Sequence, residues 1–171
     1  MRATARTLPG MIAPGLYASW KDVPTEGWAW PHFSARELSC KCAGRYCQGS
    51  YFHQPDFLDA LERLRDAAGA LWINSGHRCD LHNAAQGGAP LSQHKRIAAD
   101  ISLVGHDPVS LARAAVTAGF TGLGFGRTFL HIDRRARRTA FHYPGGKVAW
   151  TQRFGFDPVP AFKASGHLNG A

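Results

Sequence analysis

No window of this chain approaches the roughly 18 consecutive apolar residues that a membrane-spanning helix needs, so no membrane span is expected. Charged residues are scarce at 19%, and none gather in a long or repetitive run. With 44% hydrophobic residues, that composition argues against a wholly disordered chain and allows a sizeable core. Acid is the scarcer charge, with 12 Asp plus Glu against 20 Lys plus Arg, a net charge of +8. The excess suits an anionic partner such as nucleic acid, anionic lipid or an acidic wall polymer, and it equally serves plain solubility. A basic helix or aromatic platform for nucleic acid is missing, so no nucleic-acid partner is expected. The opening MRATARTLPGMIAPGLYASW lacks the apolar run of a secretory signal, because Pro9, Gly10, Pro14 and Gly15 interrupt it. The expectation is a chain made in the cytoplasm without an export signal of its own.

Cysteines are few: Cys40, Cys42 and Cys47 in SCKCAGRYCQG, and Cys79 farther on. Their Cys-x-Cys-x4-Cys spacing is not one of the strong zinc patterns. A structural zinc site with Cys79 as fourth ligand, a disulfide and ordinary thiols all stay open.

The 171 residues argue for one domain with extended ends. Residues 1–31, rich in Gly, Pro and Trp, read as an extended arm that packs Trp20, Trp28 and Trp30 somewhere. Residues 32–150 form the domain, and 151–171, with weak signals, a tail. Ser34-Ala-Arg-Glu37 fits a capping box at the start of a short helix. Pro55 suits a first helical position, and Phe57, Leu61, Leu64 and Ala68 make one apolar face that Gly69 ends. Leu71–Asn74 reads as a short buried strand. Residues 76–93 read as a long loop with a helical turn near Asp80–Ala85. Ala98–Ser102 reads as a strand, and Asp107-Pro108 opens a helix to Ala118 that Gly119 stops. Leu123–Phe125 and Phe129–Asp133 read as paired strands. The order predicts an α+β domain with a small antiparallel sheet flanked by helices.

Three segments carry unusual residues: Ser75-Gly-His-Arg-Cys79, Ser92–Asp100 and Phe129-Leu-His-Ile-Asp133. Imidazole nitrogen and carboxylate oxygen suit zinc, and three protein ligands leave a fourth position for water. Each segment alone is weak, because a His in an apolar strand is more often packed than ligating. Asp100 is harder to dismiss: a carboxylate among Ala98, Ala99 and Ile101 needs a partner, either a metal or one of the many Arg. Arg127, Arg134, Arg135, Arg137 and Arg138 make a basic cluster, read equally as a solvated hairpin or as a face that holds carboxylates or a wall polymer.

The segments HFSAREL, INSGHRCDLHNAAQGGAPLSQHKRIAADI and FLHID resemble, in order and nearly in spacing, the zinc D-Ala-D-Ala carboxypeptidase family, peptidase family M15, over roughly residues 32–133. The similar branch includes phage, prophage and other bacterial murein peptidases. The resemblance implies a zinc carboxypeptidase/Hedgehog-like fold and one catalytic zinc ion held by His94, Asp100 and His131. It implies hydrolysis of peptidoglycan stem peptides or crosslinks, as an endopeptidase or a D-Ala-D-Ala carboxypeptidase. Arg78 takes the place of the family's substrate-binding Arg, Ser92 of its Ser, and His77 stands where the family has Tyr. Two departures follow. Five residues separate His94 from Asp100 where six are usual, and the missing one is a Gly, so the deletion has to fall in the turn before the strand. Thr128 stands where many relatives carry the acid that serves as general base. Asp133 is then the expected base, or an orienter of an imidazole, with His77 the other choice. A non-catalytic zinc-binding wall-recognition module of the same fold is the alternative. The expected action is on the wall, after lysis-type release or from a virion-like particle.

Overall fold

A computed structural model describes residues 11–169; the start of the segment read for an export signal lies outside them. Among the described residues no helix is long and apolar enough to cross a membrane.

Among the described residues seven strands and six α-helices form in chain order: β1 (Gly15–Tyr17), α1 (Ala35–Leu38), β2 (Tyr51–His53), α2 (Pro55–Ala68), β3 (Ile73–Ser75), α3 (Asp80–Ala85), β4 (Ala99–Ser102), α4 (Pro108–Ala118), β5 (Gly122–Phe125), β6 (Phe129–Asp133), β7 (Thr139–His142), α5 (Gly146–Phe154) and α6 (Pro158–Ser165). The two long helices have the boundaries their residues dictate. Pro55 and Pro108 occupy first-turn positions, where a missing N–H costs nothing. Asp107 accepts from Ser110 N at 2.8 Å, and Gly119 ends α4 at φ 99°. Phe57, Leu58, Leu61 and Leu64 of α2 and Leu111, Ala112 and Ala115 of α4 are buried in one core with the sheet. At Ser34 only half the expected box forms: its hydroxyl accepts from Glu37 N, with no return bond from the Glu37 side chain.

The main sheet has the order β3-β4-β6-β5-β7. It is antiparallel as expected except at one edge, where β7 runs parallel to β5. Register sorts the residues onto two faces. Ala99, Ile132, Leu123 and Ala140 are neighbours on the core face; Asp100, His131, Gly124 and Phe141 are neighbours on the other. The strand expected at Leu71–Asn74 starts later, at Ile73; Trp72 is 73% exposed, so an apolar run here does not mark a buried segment.

Both ends differ from the arm and tail expected of them. The described part of the arm pairs into the fold, β1 with β2, and Trp30 is buried with its Nε1–H on Asp59 at 2.8 Å. Residues 151–171, expected as a tail, carry the end of α5 and all of α6 in their described part, with Phe162 and Leu168 buried. The anchors are polar as well: Trp150 Nε1–H donates to Gly126 O at 2.6 Å, and Arg113 Nε–H to Leu168 O at 3.2 Å. The apolar spacing in these helices is irregular, which is why it gave no periodic signal.

Candidate metal centre

Sheet register assembles the site. Ser75 on β3 is opposite Asp100 on β4, and Asp100 is opposite His131 on β6. His94 arrives from outside the sheet, on a 3-10 turn (Gln93–Lys95) capped by Ser92: His94 N donates to Ser92 Oγ at 3.3 Å. The chain bends at Arg96 and enters β4 three residues later. The short His94-to-Asp100 link is therefore taken up before the strand, and the strand's alternation is intact.

His94 Nε2, Asp100 Oδ1 and His131 Nδ1 form a triangle with sides of 3.2, 2.9 and 3.1 Å. All three residues are buried. The remaining ring nitrogens settle the tautomers. His94 Nδ1 faces the Gly76 carbonyl at 2.6 Å, and His131 Nε2 faces Asp133 Oδ2 at 2.9 Å. Both partners only accept, so each ring places its N–H there. Two imidazole lone pairs and a carboxylate oxygen then converge with no donor between them, and such a convergence needs a cation. Donors about 2.0–2.1 Å from a tetrahedral zinc lie about 3.3 Å apart, close to the triangle observed. The donor set and its spacing fit a metal ion.

Electrostatics agree with the geometry. Burial disfavours the Asp100 anion, but the His131 and His94 imidazoles beside it outweigh that and hold its carboxyl well below the usual range. Burial alone would keep His131 neutral; Asp100 and Asp133 on its two sides push its pKa up instead. Arg78 donates from its terminal nitrogen to Asp100 Oδ2 at 2.8 Å and from Nε to Ser75 Oγ at 2.8 Å. It thereby occupies the carboxylate oxygen that faces away from the triangle.

The structure separates the roles open to Asp133 and His77. Asp133, expected as the general base or as an orienter of an imidazole, is 0% exposed. It accepts from His131 Nε2, from Arg135 N at 3.0 Å and Nε at 2.7 Å, and from the Arg135 terminal nitrogen. With both oxygens occupied behind the imidazole, it orients His131 and cannot reach a substrate. His77, the other choice for the base and a substrate-binding candidate, is buried with both ring nitrogens bound, to Arg96 O at 2.6 Å and Ser50 Oγ at 3.1 Å. It holds the loop around residue 50 against the turn before β4.

A cleft of about 550 Å³ opens over the triangle, bordered by Arg78, Ser92, His94, His131, Arg135 and Tyr143. A second hollow of about 640 Å³ lies on the other side of Arg78, beside Tyr46, Cys47 and Lys95, and touches none of the three converging residues. Tyr143 and Phe141 escaped the sequence reading. They sit at the end of β7 with their rings packed on His131, 6.3 and 5.5 Å between centroids. Room for them comes from Gly124, where a Cβ would lie 2.8 Å from His131 Cβ and from ring carbons of both aromatics. The alternation Gly122-Leu-Gly124-Phe on β5 was the available signal: small residues opposite Asp133 and His131 on one face.

A family model described as Peptidase M15 matches residues 31–133, and those residues include every member of the triangle. No curated protein and no solved structure matches the chain.

Proposed function

The chain belongs to the peptidase M15 family and is a peptidase, and on that premise we propose that it is a zinc enzyme that hydrolyses peptide bonds in bacterial peptidoglycan, in the stem peptides or their crosslinks. The observation that carries the reading is the convergence of His94, Asp100 and His131 without a proton between them, at the floor of an open cleft. When bound, zinc supplies a more acidic water and polarises the scissile carbonyl. The chain's own residues do the rest. Gly76 O and Asp133 fix the imidazoles, Arg78 holds Asp100 to one free oxygen, and Arg78 and Arg135 give the cleft border a positive charge that favours peptide carboxylates. Support for a wall substrate is the resemblance to murein peptidases and the net charge of +8. Action at the wall then follows lysis-type release or delivery on a virion-like particle. Mass spectrometry of purified peptidoglycan fragments after digestion tests this: new amino termini within stem peptides or crosslinks, or loss of terminal D-Ala, are expected. Intact fragments with zinc bound would favour the non-catalytic module. One observation points that way: apart from Asp100 in the triangle, no Asp or Glu borders the cleft among the described residues.

Two variants probe the supports of the triangle. Asp133→Asn keeps the shape but offers one acceptor oxygen to both His131 and Arg135, so zinc affinity should weaken about 10–100-fold, measured by competition with a chelating dye. Unchanged affinity would show that Asp133 matters only for packing. Arg78→Lys keeps the charge but loses the fork that spans Ser75 and Asp100. Hydrolysis should fall more than about tenfold with zinc content and melting temperature nearly unchanged; a matching loss of thermal stability would make Arg78 a structural ion-pair partner instead.

A further inference from the structure

Cys40 and Cys42 are buried and Cys47 and Cys79 half-buried, and no pair among them is bonded. They come from two segments far apart in sequence. Backbone bonds from Cys40 N to Ser50 O and from His77 N to Leu38 O, each 2.8 Å, bring these segments together. All four Sγ atoms then lie within 4.8 Å of one another, with Cys42 and Cys47 at 3.5 Å. The edges of a tetrahedron of thiolates about 2.3 Å from zinc are about 3.8 Å, inside that range. We propose that Cys40, Cys42, Cys47 and Cys79 hold a second zinc ion, a structural one, separate from the His94–Asp100–His131 centre.

The surroundings suit thiolates rather than thiols. Cys79 N–H points at Cys40 Sγ (3.4 Å), and Ser50 N–H and Oγ–H point at Cys47 Sγ (3.4 and 3.3 Å). His82 Nδ1 lies 3.2 Å from Cys40 Sγ, where an N–H there would donate to it. A neutral thiol is a weak acceptor, whereas a metal-bound thiolate takes such bonds readily. Several thiolates packed together and largely out of water need a compensating cation. The loop is wound as a tight chelating turn: Ala43 and Gly44 have φ of 55° and 81°, and Ala43 is the one non-glycine with positive φ among the described residues. The sequence spacing alone does not mark the site, because the fourth ligand arrives through the fold.

The position gives the ion a task. Cys79 follows Arg78 and precedes α3, and Ser50, at the other end of the Cys loop, bonds His77. An ion here clamps the segment from which Arg78 reaches Asp100, one residue from the clamp.

Metal analysis of the full chain, purified without chelator, tests the proposal. Wild-type protein should carry two zinc ions per chain. His131→Ala should lose one and keep the other, and Cys42→Ser should lose the one that His131→Ala keeps. An organomercurial added to His131→Ala protein should release its zinc as the four cysteines react, a measurement that does not depend on Cys42→Ser folding. Cobalt in place of zinc in the same protein should show the intense near-ultraviolet thiolate charge-transfer bands. Zinc-free His131→Ala protein whose cysteines titrate freely would overturn the proposal, and so would an intact mass short by the hydrogens of a disulfide. If His131→Ala keeps its zinc while wild-type protein hydrolyses nothing, the Cys site stands and the catalytic reading falls.

Discussion

Asp100→Ala should abolish hydrolysis, by at least about a thousandfold, and remove one zinc ion per chain while the protein stays folded. The size follows from what Asp100 does. It is the only anion in the triangle, and it bridges His94 and His131 at 3.2 and 2.9 Å. Its loss leaves two neutral imidazoles to hold a doubly charged ion, and it frees Arg78 to swing a positive charge toward the same spot. Both effects oppose metal binding. Stability should fall too, because removing one partner of a largely buried ion pair strands the other, at a cost of up to about 3–5 kcal/mol. Arg78 is 16% exposed, so water recovers part of that cost. Asp100→Asn separates the contributions, since it keeps the shape and loses the charge. Zinc content by mass spectrometry, circular dichroism and turnover on peptidoglycan fragments are the measurements. Hydrolysis within tenfold of wild type in zinc-depleted Asp100→Ala would remove the triangle from the chemistry.

The triangle was legible in the sequence because its members break local rules. Asp100 interrupts an apolar strand, and His94 and His131 stand in segments whose order matches a family pattern. The short link to Asp100 looked like an obstacle, yet a bend at Arg96 absorbs it before the strand starts. α2 and α4 were legible for a different reason: proline and glycine bound an apolar face in α2, and an Asp-Pro start and a glycine stop bound α4. What stayed hidden depends on contacts distant in sequence. β7 pairs in parallel at a sheet edge, and its four residues carry no clean alternation. Trp150 and Phe162 gave no amphipathic period, although both are fully buried. The role of Asp133 also turned on the fold. Spacing places it on the face of His131, but only the Arg135 side chain folding back closes off both carboxylate oxygens.

Tyr143→Phe should lower kcat about a hundredfold or more, with zinc content, KM and melting temperature nearly unchanged. With Asp133 sealed behind His131, Tyr143 is the cleft residue best suited to hand over or share a proton. Its backbone is fixed by Tyr143 N on Phe125 O at 3.1 Å and by Gly146 N on its own carbonyl at 2.8 Å. Its ring packs on Phe129, Phe141 and His131, with the nearest centroid 4.8 Å away. Burial raises the phenol's pKa, and the Asp100 charge raises it further against the opposing pull of Arg78, so the hydroxyl keeps its proton at neutral pH. A protonated phenol beside the triangle donates to the oxygen that gains charge as the peptide carbonyl is attacked, or to the departing amine. Phe preserves the ring and all its packing and deletes only that donor, which is why the loss should fall on kcat and leave the fold alone. Turnover of a purified stem peptide, measured with zinc content and a melting curve on the same preparation, decides it. A kcat within about twofold of wild type would reduce Tyr143 to a packing residue over His131.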